Sequence, residues 1–265
     1  MLKWHRGRRL ITDAVFTRSR ILEGMRLGAS IEVDIQRHGS NGFVILHDET
    51  LDRETSGSGP VATQPADELR QLRMRDNEGA VTAEPVLLLD DLAQLLAAGP
   101  IDASAVLQLD LKNDRASLSS DDIAAFPSAV EPVLANVLVS GDDADAVDSL
   151  RRATPGLRTG YDPCREDTIA ELRRTGDYAA FVQAALAAAP NAEMIYLYHP
   201  IVAAADAAGF DMIGAIQAAG KRVDVWTIKE VNDATLAMAR RLLALKVDQI
   251  TTDDPVGLEA ALSTG

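Results

Sequence analysis

The chain has 265 residues, of which 47% are hydrophobic and only 4% aromatic, and its formal net charge is −14 at pH 7. This length suits one α/β barrel, which typically takes about 250 residues. The acidic balance argues against nucleic acid as a partner, because binding to nucleic acid depends on a basic surface that neutralises phosphates. A small phosphate ester stays compatible, since a bound cation and a few basic groups set the field of one pocket.

The sequence also predicts a cytoplasmic protein without a membrane span. Its longest apolar runs, such as Val86–Leu89 and Ala184–Ala189, are far shorter than the ~20 residues that a span requires. The start, Met1–Trp4, leads directly into a polar motif and leaves no room for a signal peptide. Cys164 is the single cysteine, which excludes an internal disulfide. The oligomeric state stays open.

Strand-like apolar runs alternate with helical stretches rich in Ala and Leu along the whole chain. The predicted strands are Leu2–His5, Ser30–Gln36, Val106–Lys112, Asn136–Ser140, Leu157–Tyr161, Met194–Tyr198, Arg222–Ile228 and Gln249–Thr252. Predicted helices include Leu89–Ala98, Ala144–Ala153, Tyr178–Ala188, Asp211–Ala219 and Asp233–Leu245. Eight strands, each followed by a helix, predict a single-domain (β/α)8 TIM barrel over residues 1–265. An open doubly wound sheet is the alternative.

One segment, residues 48–84, does not fit a βα unit. It is rich in Gly, Ser, Thr and charged residues, and contains one short helical piece at Ala66–Arg75. We interpret it as an insertion after the second strand, at the end of the barrel where such enzymes vary their loops. We place His38 in a turn over Arg37–Asn41, and expect His199 and the run Thr251–Pro255 to be structural.

Carboxylates and basic residues gather at the ends of predicted strands. Glu32 and Asp34 are two apart and so share one face of their strand, where they would repel each other unless a cation lay between them. Asp110 and Lys112 repeat this spacing on the next predicted strand. Hard cations prefer oxygen ligands. These residues therefore predict one divalent cation, Mg²⁺ or Ca²⁺, held by Glu32, Asp34 and Asp110, although a solvated edge strand has a similar pattern.

Two histidines complete a constellation suited to acid–base chemistry on a phosphate ester. His5 is followed by Arg6, whose guanidinium suits bidentate contact with phosphate oxygens. His47 follows an apolar run and precedes Asp48, which is placed to orient the imidazole ring. Imidazole exchanges protons near neutral pH. We predict His5 and His47 as the catalytic pair, with His5 preferred as base and His47 as acid, and Arg6 and Lys112 as phosphate-binding residues.

The order and spacing of these motifs resemble the glycerophosphodiester phosphodiesterase family. The strongest match is the run from Glu32 to Val61, EVDIQRHGSNGFVILHDETLDRETSGSGPV, after an HRG motif at residues 5–7. The resemblance implies a TIM barrel that hydrolyses a small phosphodiester with a metal ion. It also implies that Trp226 forms an apolar wall of the pocket. Asp110 stands where the family usually has Glu. The related sphingomyelinase D-type enzymes are similar to this chain in carrying an Asp there.

Two departures from the family pattern point to a changed substrate. Residues 10–15 lack the Pro-Glu-Asn-Thr element that normally follows the HRG motif, and Lys229 stands where an Asn is usual. An agrocinopine-type sugar phosphodiesterase is therefore a second identity within the family. Alternatives are phospholipase D- or sphingomyelinase D-like cleavage of a lipid headgroup, and an inactive barrel that binds a phosphosugar. Attack by water or by a vicinal hydroxyl group of the substrate stays open.

Overall fold

Eight parallel strands close into a barrel in the computed structural model, which describes residues 1–264. The strands are β1 (Leu2–Trp4), β2 (Ser30–His38), β3 (Gly42–Ile45), β4 (Arg73–Arg75), β5 (Val81–Pro85), β6 (Val106–Leu111), β7 (Val137–Gly141), β8 (Arg158–Tyr161), β9 (Met194–Tyr198), β10 (Arg222–Ile228) and β11 (Gln249–Thr252). Around the barrel the order is β1, β2, β6, β7, β8, β9, β10 and β11, and β11 pairs with β1. The predicted TIM barrel is confirmed.

Helices fill the connections between the barrel strands. They are α1 (Arg18–Leu27), α2 (Ala66–Leu69), α3 (Leu89–Ala97), α4 (Ser120–Val130), α5 (Ala144–Ala153), α6 (Glu166–Thr175), α7 (Tyr178–Ala188), α8 (His199–Ala207), α9 (Met212–Ala218), α10 (Asp233–Ala244) and α11 (Pro255–Ser263). The eight predicted strands and five predicted helices are confirmed, with ends that differ by at most two residues. Side chains of Asp143 and Asn232 cap α5 and α10, because their oxygens accept from free N–H groups of the first turn.

The register between β2 and β6 fixes which side chains face the barrel interior. Ile31, Val33 and Ile35 are fully buried in the apolar core, so the alternating residues Glu32 and Asp34 point to the opposite face. Asp34 pairs with Asp110 across the two parallel strands, and Glu32 pairs with Gln108. The carboxylates are therefore brought together by backbone pairing.

The segment between β3 and α3 departs from its prediction. The predicted helical piece at Ala66–Arg75 is wrong beyond α2, because Arg73–Arg75 forms β4 in an antiparallel hairpin with β5. The hairpin turn explains the difference. The Asp76 Oδ1 atom accepts hydrogen bonds from the backbone of Glu78 and Ala80, and Gly79 has φ of 83°, which is a conformation that glycine adopts without strain. Local turn chemistry thus outweighs the helical composition.

The predicted turn over Arg37–Asn41 begins too early. β2 continues to His38, which pairs with Gly42 of the antiparallel strand β3. The turn proper is residues 39–41, with Asn41 at φ of 57°; Asn tolerates this left-handed conformation better than most residues. Strand pairing with β3 therefore extends β2 beyond the apolar pattern that the sequence shows.

Among the helices of residues 1–264, none is alone both long and apolar enough to cross a membrane. Helices α8 and α9 reach the length and apolar composition of a membrane span only when they are taken together, and they meet at a bend of 102°.

A charged pair lies inside the barrel, below its C-terminal mouth. The Lys3 ammonium is 3.1 Å from Asp224 Oδ2, and both side chains are almost completely buried, at 2% and 0% exposure. Lys3 also donates to Gln108, and Thr251 Oγ1 donates to Asp224 Oδ1 at 2.6 Å. A buried charge needs such partners, because transfer from water without compensation is very costly.

We expect the Lys3→Met variant to be destabilised by about 3–5 kcal/mol, because it leaves the Asp224 carboxylate buried without its cation. Urea unfolding followed by circular dichroism measures the free energy of unfolding. The matched control is Lys3→Met combined with Asp224→Leu, which removes both charges and should recover most of the loss. A single variant as stable as the wild type would show that the ion pair contributes nothing to stability.

Candidate active site

The polar residues predicted from the sequence meet at the C-terminal mouth of the barrel. They border a cavity of about 270 Å³, near the lower end of the range for small-molecule sites. All eight predicted site residues line it: His5, Arg6, Glu32, Asp34, His47, Asp110, Lys112 and Trp226. Residues that are up to 221 positions apart in the chain are thus brought into one site by the barrel closure.

Three carboxylates form the acidic centre of this cavity. One oxygen from each of Glu32, Asp34 and Asp110 lies within 4.8 Å of the others. Glu32 and Asp34 are 5% and 2% exposed. Lys112 contacts two of the three: its Nζ atom is 2.7 Å from Asp34 Oδ1 and 2.5 Å from Asp110 Oδ2. Negative charge is therefore concentrated here and only partly neutralised.

The pKa values of the two buried acids diverge because their neighbours differ. Burial, together with the charges of Asp34 and Asp110, raises the pKa of Glu32 to about 8. Burial also acts to raise the pKa of Asp34, but the charges of Lys112 and Arg6 outweigh it and lower the pKa to about 2. For Lys112, the nearby carboxylates outweigh burial and raise the pKa well above its usual value. Glu32 is thus the acid that most needs another positive charge.

The acidic centre fits a hard divalent cation. Its donors are all oxygens, which Mg²⁺ and Ca²⁺ prefer. In addition, Asp34 Oδ2 is buried and accepts no hydrogen bond from the described residues, although Arg6 Nε is 3.1 Å away. A buried carboxylate oxygen normally has a hydrogen-bond donor or an ion as its partner. A cation between the three carboxylates would supply it.

The HRG motif folds as a tight turn that aims its backbone at the acidic centre. Residues His5–Gly7 form a single 3₁₀ turn directly after β1, with Arg6 at φ of 54° and Gly7 at φ of 71°. This turn lets the backbone N–H of Arg6 donate to Glu32 Oε2 at 2.8 Å. Glycine at position 7 meets both the positive φ and the close approach of Ile21, which a Cβ would contact at 3.2 Å.

The His5 imidazole is held by an acid that the sequence analysis took as structural. His5 Nδ1 and Asp253 Oδ1 are 2.5 Å apart, and Arg8 Nη1 lies 3.1 Å from the other Asp253 oxygen. Sequence analysis treated Thr251–Pro255 as structural, whereas Asp253, directly after β11, contacts His5 of the site. Burial lowers the pKa of His5 despite Asp253, which acts to raise it. Because Asp253 holds Nδ1, the other ring nitrogen, Nε2, is free of Asp253 and lies 3.9 Å from Glu32 Oε2.

The His47 imidazole has its own carboxylate partner, as the sequence predicts. His47 Nδ1 lies 2.9 Å from Asp48 Oδ1, and Arg53 contacts both oxygens of Asp48 at 2.5 Å. The Glu54 carboxylate accepts from the backbone N–H groups of His47 and Asp48 at 2.9 and 3.0 Å. Residues 53 and 54 belong to the insertion, so this segment positions His47.

Two further polar contacts at the mouth were missed from the sequence. Asp162 follows β8 and lines the cavity, and burial raises its pKa to about 7. Ser140 Oγ donates to Asp110 Oδ1 at 2.6 Å and accepts from Gln108 at 2.8 Å. The position of Asp162 directly after a predicted strand could have indicated its place in the site. The contact of Ser140 with Asp110 could not be predicted from the sequence, because it depends on the register between β6 and β7.

The fold and this site together define a class of protein. Carboxylates, imidazoles and basic groups at the C-terminal end of a parallel barrel are the arrangement of an enzyme of the TIM-barrel type. The model of the glycerophosphoryl diester phosphodiesterase family matches residues 22–256, so the chain belongs to this family and is a phosphoric diester hydrolase. A search of curated proteins gave no match.

Solved structures share the fold at low sequence identity. A candidate glycerophosphoryl diester phosphodiesterase from Silicibacter pomeroyi has 20% identity and a TM-score of 0.75, with 99% of this chain and 93% of that chain covered. The glycerophosphodiester phosphodiesterase from Agrobacterium tumefaciens has 21% identity and a TM-score of 0.69, with 98% of both chains covered. An Oleispira antarctica phosphodiesterase in complex with its product sn-glycerol-3-phosphate has 20% identity and a TM-score of 0.68, with 99% and 96% covered.

We predict that Asp253→Asn lowers kcat about 10- to 100-fold, because an amide no longer holds the His5 tautomer and ring orientation that a carboxylate favours. The acidic limb of the kcat/KM profile should also move to lower pH. Asp253 raises the pKa of His5, so its removal lowers that pKa, and the neutral ring persists in more acidic solution. Asp254→Asn is the control, because Asn caps α11 as well as Asp does. An unmoved limb would mean that Asp253 is only structural.

A second prediction concerns the stability of the metal-free protein. The folded state keeps the Glu32 proton up to about pH 8, whereas the ordinary pKa is 4.5. Between these values the folded state binds more protons than the unfolded state, so the free energy of unfolding falls as pH rises. In EDTA, the melting temperature should fall between about pH 5 and about pH 8, and this fall should be smaller for Glu32→Gln than for the wild type. Equal slopes would contradict the assignment.

Proposed function

We propose that the enzyme hydrolyses a small glycerophosphodiester-like or sugar phosphodiester to a phosphomonoester and an alcohol, with one divalent cation, Mg²⁺ or Ca²⁺. The observation that carries this proposal is that both imidazoles, the acidic centre and two basic side chains line one cavity. The family assignment and the structural neighbour named with bound sn-glycerol-3-phosphate support a glycerol phosphate product. We treat residues 1–265 as one catalytic domain, in which segment 48–84 shapes the mouth.

Glu32, Asp34 and Asp110 would hold the cation. A cation there supplies Lewis-acid polarisation of phosphate and of an adjacent hydroxyl group. Arg6 and Lys112 bind the anionic phosphate oxygens and neutralise the charge that develops on them. Their present contacts with the carboxylates support this role, since both already lie at the edge of the acidic centre.

The two histidines carry the protons. His5, supported by Asp253, takes the proton of the attacking hydroxyl, from water or from a vicinal alcohol of the substrate. His47, supported by Asp48, gives a proton to the oxygen of the departing alcohol. The bond formed joins the attacking oxygen to phosphorus, and the bond broken joins phosphorus to the departing oxygen. With a vicinal alcohol as nucleophile, a cyclic phosphate forms first and water then opens it.

The best second candidate is cleavage of a lipid headgroup. Leu10 and Ile11 favour it, since both are exposed, at 38% and 42%, in the loop that follows the HRG turn. Hydrolysis of lysophospholipid micelles that is lost in the Leu10→Ser/Ile11→Ser variant would support this candidate. The third alternative, an inactive phosphosugar-binding barrel, has less support, because a binding protein needs no pair of carboxylate-oriented imidazoles.

We predict that His5→Ala and His47→Ala each lower kcat by about 10²–10⁴-fold, because each removes a positioned proton carrier. The two losses should not add, since acid and base serve one displacement. Phosphorus NMR of diester turnover measures the rates and detects a cyclic phosphate. Calorimetric titration with Mg²⁺ and Ca²⁺ serves as the control, because neither imidazole is assigned to the cation.

A diester with a leaving group of low pKa distinguishes the two histidines. Such a leaving group needs little protonation, so this substrate should restore turnover to His47→Ala and not to His5→Ala. The opposite result would exchange the roles. Near wild-type turnover in either single variant would overturn the two-histidine mechanism.

A further inference from the structure

A larger cavity adjoins the catalytic one. We call it the distal groove and define it by Ile169, Arg173, Tyr198, His199, Lys229 and Glu230. Its volume is about 840 Å³, against about 270 Å³ for the catalytic cavity. Trp226, Thr227 and Lys229 line both cavities. A molecule whose phosphate lies in the catalytic cavity therefore extends into the distal groove across this shared wall.

Aromatic rings form a continuous surface in the groove. The ring centroids of Tyr198 and Trp226 are 5.1 Å apart at 36°, and those of Tyr198 and His199 are 5.4 Å apart. Trp226 Nε1 and His199 Nδ1 are buried and have no hydrogen-bond partner among residues 1–264. A ligand that presents an apolar ring face would pack on the aromatic surface of Tyr198 and Trp226.

Charged side chains around the groove balance one another. Glu166 and Glu230 contribute two carboxylates, and Arg173 and Lys229 contribute two cationic groups. Because the two signs are equal in number, the groove presents no net charge that would favour a cationic or an anionic ligand. A neutral ligand with many hydroxyls finds both donors and acceptors on these four side chains.

We propose that the distal groove binds the second alcohol arm of the diester, and that this arm is a neutral sugar or cyclic polyol. This inference rests on the proposed function, which puts the phosphate of the substrate in the catalytic cavity next to Trp226. The ring of the arm packs on Tyr198 and Trp226, while its hydroxyls bond the polar groups around it. Lys229 lines both cavities and so becomes a determinant of substrate choice.

Binding is tested without catalysis by saturation-transfer NMR, with methyl glucopyranoside, choline and glycerol as separate probes. The variant Ile169→Trp fills the groove, and Ala170→Trp is the matched control, because Ala170 is exposed on the same helix and does not line the groove. We expect signal transfer to the glucoside in the wild type and in Ala170→Trp, and its loss in Ile169→Trp. Stronger transfer to choline, or a glucoside signal unaffected by Ile169→Trp, would overturn the proposal.

Kinetics then tests the groove during turnover with two glycerol phosphodiesters, one carrying a methyl arm and one a hexose arm. Ile169→Trp should lower kcat/KM for the hexose diester at least about tenfold, which corresponds to about 1.4 kcal/mol, and leave the methyl diester unchanged. An equal loss for both diesters would contradict the groove assignment. If the wild type hydrolyses neither diester, the proposed function fails, and the NMR probes alone decide what the groove binds.

Discussion

Electrostatic repulsion among Glu32, Asp34 and Asp110 is the constraint around which the mouth of the barrel is arranged. The pairing of β2 with β6 forces Asp34 and Asp110 into register, and the strand period adds Glu32 to the same face. Lys112 and the HRG turn bring positive charge and a backbone donor to these acids. The negative charge that remains without a counter-charge is felt most by Glu32, whose pKa is raised to about 8. A cation next to Glu32 would therefore stabilise the site most.

The acidic centre is also tied to the interior of the barrel. A chain of hydrogen bonds runs from Lys3 through Gln108 and Ser140 to Asp110, and Lys3 is anchored by Asp224. Through this chain the interior holds the Asp110 carboxylate, whose side chain is one methylene shorter than the usual Glu. Connected hydrogen bonds of this kind strengthen one another in the low-dielectric interior of a protein. The polar interior is thus explained by the need to orient the acids above it.

The strand period and the positions of polar residues at strand ends were enough to predict the barrel strands and seven polar residues of the cavity, whereas Trp226 was predicted from the family resemblance. Alternation at Ile31–Ile35 indicated which face of the strand is buried. Closure of the barrel then brings the ends of the separate strands to one cavity. The hairpin of β4 and β5 was missed because its turn depends on one aspartate side chain and one glycine. Asp253 was missed because its partner, His5, lies 248 residues earlier in the chain. A single sequence gives no measure of such a contact.

The two halves of the barrel mouth differ in chemistry. β1, β2 and β6, with the residues that directly follow β1 and β6, carry the acids, two basic side chains and His5, while the segment after β3 supplies His47 and the groups that hold it. The groove side, from α6 to the loop after β10, carries aromatic rings and balanced charges. Loops vary without disturbing a barrel, so residues on the groove side are free to change the alcohol arm while the phosphate chemistry stays intact. Lys229 is a residue of this kind, since it lines both cavities and is neither an acid nor an imidazole of the catalytic one.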